Sequence, residues 1–232
     1  MNKLHHPRLG TLEIHVRSDS RYVRARWSGG VVKITAPDSL SMSELRRIVD
    51  EMEPRISASR RDVSYSCGDQ LLFDGWRADI GSQSYQPDRI IVRHVFPQAN
   101  LLVGTNVGFD SPFATKYISD ALKSVAARFA PDLLIPQARE TAARLGLSPS
   151  SWKIKNTTRQ LGSCNRRGEI SLSSQLMFLS DELRHYIICH ELAHLTEMNH
   201  SRRFHALLDR YVDGRKKFLE ARLKSFPWPI LR

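Results

Sequence analysis

Cysteine is scarce in this chain. Cys67, Cys164 and Cys189 are three in 232 residues, an odd number, and widely spaced. That spacing argues against a disulfide framework and for a reducing compartment. Long apolar runs are missing as well. None approaches the roughly 20 residues that a membrane-crossing helix needs, so no membrane partner is expected. The opening residues Met1-Asn2-Lys3-Leu4-His5-His6-Pro7 lack the apolar core of a secretory signal. A cytoplasmic protein is the resulting expectation. No internal repeat period is evident. Acid is in short supply too, with 24 acidic residues against 35 basic ones and a net charge of +11. Such an excess attracts polyanions, chiefly nucleic acid. The basic residues are scattered rather than blocked, as they also are on an ordinary soluble surface.

What is present reads as an α+β protein. The hydrophobic share of 41% and charged share of 25% are ordinary for a globular chain. Residues 12–17, 21–27 and 31–35 alternate apolar and polar, as half-buried strands do, with a turn at Ser28-Gly29-Gly30. Ser41-Met42-Ser43-Glu44 resembles a capping box and opens a helix through Leu45, Ile48, Val49 and Met52, with Pro54 expected to end or kink it. Short strands recur at 71–73, 76–80, 89–94 and 101–103. His94, alone on one of them, is read as structural. Near Gly104 the composition changes, and two helices are expected, 112–129 and 131–145, with Gly146 as C-cap. Strands return at 152–156 and 169–173, joined by a connection from Thr158 to Gly168. Further helices are expected at 202–211 and beyond Gly214. The domain reading is a β-rich region over 1–104 and a compact catalytic domain over 105–232.

The chemistry concentrates in Tyr186-Ile187-Ile188-Cys189-His190-Glu191-Leu192-Ala193-His194-Leu195-Thr196-Glu197-Met198-Asn199-His200. On a helix, His190 and His194 lie one turn apart on the same face. Both imidazoles can aim at one point, two corners of a tetrahedral zinc site. Glu191 stands beside them, placed to act on water rather than to ligate the metal. The flanks (Leu183, Ile187, Ile188, Leu192) are apolar nearly all round, which marks a buried helix. Histidines and a glutamate inside such a helix cost several kcal/mol unless paired or metal-bound. Asp181 is the expected cap of this helix.

These residues carry a resemblance. The run His190-Glu191-Leu192-Ala193-His194-Leu195, with Glu197, Asn199, His200, Ser201 and Phe204, resembles the signature of the YgjP-like metallopeptidases, small bacterial zincins related to the SprT-like proteases. Arg159-Gln160-Leu161-Gly162-Ser163-Cys164, followed by Gly168, Ile170 and Leu172, resembles that family's Arg-x-Trp-Gly-Ser-Cys segment. This chain has Leu161 where the family usually has Trp and Ser173 where an Asn is usual. Those departures bear on substrate contacts rather than on the metal. A weaker match runs from Val16 to Arg24, with Ala36-Pro37. The resemblance implies a zincin-type metalloprotease domain acting on protein or peptide, with the segment around Arg159 beside the site.

The reaction that fits is metal-assisted hydrolysis with Zn2+ as cofactor. Three neutral imidazoles keep the full charge of the ion, and Glu191 is the general base. His200 is the expected third ligand, reached by a left-handed Asn199 that ends the zinc helix and turns the chain back. Cys164 is the rival ligand, as in deformylase-type sites. Tyr186 is a candidate oxyanion donor, with a core tyrosine as the plainer reading. Glu197, three residues after His194, is a candidate to orient a ligand imidazole with its carboxylate. Lys155, Arg159 and Arg166 make the segment from Lys153 to Arg167 basic, and an edge strand there could take an extended peptide. Two rival functions stay open: a zinc hydrolase on a non-peptide or formyl amide, and a nucleic-acid-associated protein whose zinc is structural.

Overall fold

A computed structural model describes residues 2–28, 31–58, 63–109 and 112–231. The Gly29-Gly30 half of the expected turn lies outside them. The chain divides into two compact units, 1–64 with 231–232, and 65–230. The division falls forty residues before the composition change at Gly104, which separates element types and not units.

In the first unit four strands form one sheet, β1 (Asn2–His6), β2 (Gly10–Arg17), β3 (Arg24–Ser28) and β4 (Val31–Pro37), in the order β1-β2-β4-β3. The two central strands run parallel and the outer pairs antiparallel. Alternation sends Leu12, Ile14, Val32 and Ile34 to one face. There they meet Leu45, Val49 and Ile56 of α1 (Met42–Ala58). Burying each such side chain contributes about 1.5–3 kcal/mol. Ser41 and Glu44 close the expected capping box, Glu44 accepting from the Ser41 N–H at 2.9 Å and donating its own N–H to the Ser41 hydroxyl at 3.3 Å. The helix runs on past Pro54 by a full turn. The first strand, β1, is additional to the expected ones, although Leu4 and His6 alternate inward along it.

The second unit begins with another four-stranded sheet, β5 (Gln70–Phe73), β6 (Trp76–Gln83), β7 (Ile90–Val95) and β8 (Gln98–Gly104), in the order β5-β6-β8-β7. Trp76 ties this sheet to the helical part of the unit. Its ring stacks on Phe73 at 4.5 Å and meets Phe129 and Phe178 edge-on. Its N–H donates to the Met177 carbonyl at 2.8 Å. His94 packs edge-on against Phe129.

In place of the two expected helices there is one, α2 (Pro112–Arg144), passing through Pro131 and Pro136. Each proline deletes one ladder hydrogen bond. The buried stripe Ile118, Leu122, Val125, Phe129, Leu134 and Ala138 continues across both, and that packing offsets the loss. Gly146 ends α2 with φ of 68°, the Leu147 N–H reaching back to the Ala142 carbonyl at 2.9 Å.

A small sheet then forms from β9 (Ser151–Lys155), β10 (Gly162–Cys164) and β11 (Glu169–Ser173), with β10 on an outer edge. A 3-10 turn over Ser174–Phe178 leads to α3 (Asp181–Ala193), and α4 (Arg202–Tyr211) and α5 (Lys216–Lys224) follow. Ser180, not Asp181, caps α3, its hydroxyl accepting from the Leu183 N–H. Asp181 is instead the first helical residue. Its carboxylate accepts from Arg184 at 3.2 Å, where a negative charge also complements the helix dipole. Asp74 completes the anchorage. Its carboxylate accepts from the Asp181 N–H and its carbonyl from buried Arg184, each at 2.7 Å. Among the described residues no helix is long and apolar enough to cross a membrane.

Candidate metal centre

Helix α3 is buried through Leu183, Ile187, Ile188, Leu192 and Ala193, so its backbone is fixed by packing and carries His190 and Glu191 rigidly. The helix stops at Ala193, with His194 as its C-cap in right-handed conformation. It does not run on to Asn199. Among the described residues Asp213 alone has positive φ outside glycine, so the left-handed Asn199 expected from the sequence is not formed. The return is made by turns in which the Leu195, Thr196 and Glu197 N–H groups bond back to Leu192 and Ala193 carbonyls.

Ser201 then caps α4, its hydroxyl accepting from the Phe204 N–H at 3.2 Å. That cap sets two residues at once: His200 immediately before the helix, and Phe204 within its first turn. Phe204 is fully buried and lies under all three imidazoles, stacked on His194 at 4.5 Å and edge-on to His190 at 5.0 Å and His200 at 4.7 Å. It is the floor of the site.

One nitrogen from each of His190, His194 and His200 falls in a group spanning at most 4.8 Å. The Nε2 atoms of His190 and His200 are 3.1 Å apart. A tetrahedral ion with metal–nitrogen bonds of about 2.05 Å has nitrogen–nitrogen edges of about 3.3 Å. The His190–His200 separation is close to that edge, and all three nitrogens, within 4.8 Å of one another, are near enough to share one ion. Cys164 is not in the group, which among the described residues is the sole cluster of this kind.

His194 Nδ1 donates to a carbonyl, that of Glu197, at 3.1 Å. This fixes the tautomer and turns Nε2 toward the cluster. The orienting role expected of Glu197 thus falls to its backbone and not to its carboxylate, because the helical spacing that would have placed the side chain ends at Ala193. Burial and the neighbouring imidazoles, with His205 and Lys216 behind them, push the His190 pKa down to about 4. His194 is lowered by burial as well. Both shifts favour the neutral form, the state in which imidazole binds metal.

Glu191 is 5% exposed, and burial pushes its pKa up to about 8. Its neighbour across the cleft is β10. A Cβ placed on Gly162 would lie 2.5 Å from Glu191 Oε1 and 2.6 Å from Cγ. Strand and carboxylate are in contact because residue 162 has no side chain. Gly162 belongs to the motif running from Arg159 to Cys164, but nothing in a linear pattern says what it faces. Cys164, two residues on, is half-buried, and burial followed by the Glu191 charge raises its pKa. Arg159 stands exposed in the loop before β10. Tyr186 is buried one turn before His190, its ring 6.5 Å away, and burial with the Glu220 charge pushes its pKa up to about 12.

A helix α3 that presents one imidazole and a carboxylate, with a second imidazole at its C-cap, a third just before the cap of α4 and an edge strand alongside, defines a zincin-like metallopeptidase domain. Residues 21–226 match the family model described as YgjP-like, metallopeptidase domain. The chain belongs to that family. A comparison with curated proteins finds no match. Among solved structures the chain is similar to the metallopeptidase zymogen abylysin of Pyrococcus abyssi, at 22% identity and a TM-score of 0.37, over 42% of this chain and 99% of that one. It is also similar to the metallopeptidase zymogen jannalysin of Methanocaldococcus jannaschii, at 24% identity and a TM-score of 0.35, over 39% and 93%.

Proposed function

We propose that this metallopeptidase is a zinc-dependent endopeptidase in which His190, His194 and His200 hold the ion and Glu191 is the general base. The observation that carries this reading is the meeting of three imidazole nitrogens within 4.8 Å beside a carboxylate 5% exposed. When bound, the ion supplies Lewis acidity and a water of depressed pKa. The chain's own residues do the rest. Glu191 takes a proton from the attacking water and delivers it to the leaving amine. To accept that proton Glu191 must be ionised, a state that burial disfavours and that a dication beside it would favour. Phe204 excludes water from beneath the imidazoles. The free edge of β10 is the place for an extended peptide to add as a further strand, which brings the scissile bond past Glu191.

The rival readings have less support. A deformylase-like site would need Cys164 among the ligands, and a structural zinc would need a fourth protein ligand. Neither is in the cluster of described residues.

The test is Glu191→Gln. Bound zinc should stay stoichiometric while casein turnover falls at least about 100-fold, the usual weight of a general base. A variant keeping more than about a tenth of wild-type turnover refutes the assigned role. Wild-type turnover of formyl-peptides without turnover of casein refutes the endopeptidase reading.

A further inference from the structure

In the first unit α1 packs against the face of the sheet that carries Leu12, Ile14, Val32 and Ile34. The other face is read directly from the strand register. Lys3 of β1 pairs with Glu13 of β2, Glu13 with Lys33 of β4, and Lys33 with Arg26 of β3. These four residues form one row across the sheet, about 14 Å wide at about 4.8 Å per strand. Arg24, two residues from Arg26 on the outer strand, begins the next row beside Thr35. The partners on the opposite face, Leu12, Ile14, Val32 and Ile34, are the buried core.

Charge on this face is of one sign with one exception. Glu13 contacts Lys33 at 3.4 Å. Lys3, Arg24 and Arg26 are exposed, and among the described residues no carboxylate pairs with any of them. Three cations without a carboxylate partner on one sheet face repel one another, so they favour an anion laid across them. The row holds no large apolar side chain for insertion into a lipid surface. Tyr22, 69% exposed two residues before Arg24, adds a ring on which a base can stack.

We propose that this sheet face binds the phosphate backbone of nucleic acid, without sequence preference, through Arg24, Arg26 and Lys3. Basic residues scattered along the sequence are gathered here by strand register. The surface is independent of the metal centre: it uses none of the same residues.

The test uses the full-length, zinc-loaded protein and fluorescently labelled 20-nucleotide DNA, single- and double-stranded, with anisotropy read at 50 and 200 mM salt. Wild type should bind at 50 mM and weaken steeply at 200 mM. Arg24→Glu with Arg26→Glu should weaken binding at least about tenfold and lower the salt slope by about two, one for each phosphate no longer neutralised. The neutral pair Arg24→Gln with Arg26→Gln should move the same way by less, and gives the answer if the reversed pair fails to fold. Arg128→Glu with Arg139→Glu makes the same charge change on the exposed side of α2 and should bind as wild type does. Equal loss in that control, unchanged binding in the sheet variants, or no wild-type binding at 50 mM overturns the proposal. So does binding to phosphatidylserine vesicles in place of DNA. Casein turnover in the sheet variants should equal wild type, so this result and the peptidase assay stand or fall separately.

Discussion

Gly162→Ala is the substitution that tests how Glu191 is held. Gly162 does not have positive φ, so alanine meets no backbone penalty there and the effect is one of space alone. The new methyl would sit 2.6 Å from Glu191 Cγ and 2.7 Å from Cδ. Carbon atoms rest at about 3.5–4.0 Å, so one side must give by about 1 Å. The carboxyl oxygen could swing away, but Cγ is only two bonds from the helix backbone and has less room to move. Helix α3 is held by buried residues along most of its length. The strand could retreat only by weakening its three-residue pairing with β11. A displacement of about 1 Å at a catalytic group costs on the order of 100-fold in rate. Overpacking of this size costs about 1–3 kcal/mol of stability, a fall of a few degrees in Tm for a chain of this size. We therefore expect kcat/KM to drop about 100-fold with zinc still bound one to one and the circular dichroism unchanged. Activity within about threefold of wild type would refute the reasoning, because β10 would then not be what positions Glu191.

Other outcomes follow from the same geometry. His200→Ala should lose most bound zinc and all turnover, while Cys164→Ser should keep zinc and lose turnover only in part; metal analysis showing the reverse pattern moves the third ligand to Cys164. His185, on the side of α3 away from the cluster, should titrate below its ordinary value of 6.5, since burial and the Arg144 guanidinium disfavour its charge against the opposing pull of Asp181 and Asp213. Its folded pKa being lowered, the unfolded chain takes up the proton first, so its contribution to stability is full above pH 6.5 and is lost as pH falls below it. NMR titration of wild type and Arg144→Gln checks this, and a His185 pKa that does not rise in the variant contradicts the electrostatic assignment.

How far the sequence could be read depended on where the deciding contact lay. Strand alternation over Leu12–Arg17 and Val31–Thr35 is local, and β2 and β4 stand where it placed them. The capping box at Ser41 is local too. Pro131 misled for the opposite reason. Proline's cost is written in the chain, but the continuous buried stripe of α2 that offsets it is a tertiary fact. The change of composition at Gly104 likewise marks where strands give way to a helix. It cannot show that Trp76 reaches across to Phe129 and Met177 and so places the second sheet with the helices.

The candidate site divides along the same line. His190, Glu191 and His194 were readable because a helix turns spacing into direction, and each is within one turn of the others. His200 was readable by residue type, but the path to it was not. A left-handed Asn199 would have continued α3 for one more turn and carried Glu197 round on its ligand face. The helix ends instead at Ala193, and two local devices take over: the Glu197 carbonyl, which orients His194, and the Ser201 cap, which fixes His200 and Phe204 together. The first uses a backbone carbonyl, which side-chain identity hardly encodes; the second is a serine cap that residue type does suggest, but its consequence for His200 and Phe204 is a matter of three-dimensional placement. Gly162 is the limiting case. Its contribution is an absent Cβ, and only the facing strand and helix, brought together by residues about thirty positions apart, give that absence a meaning.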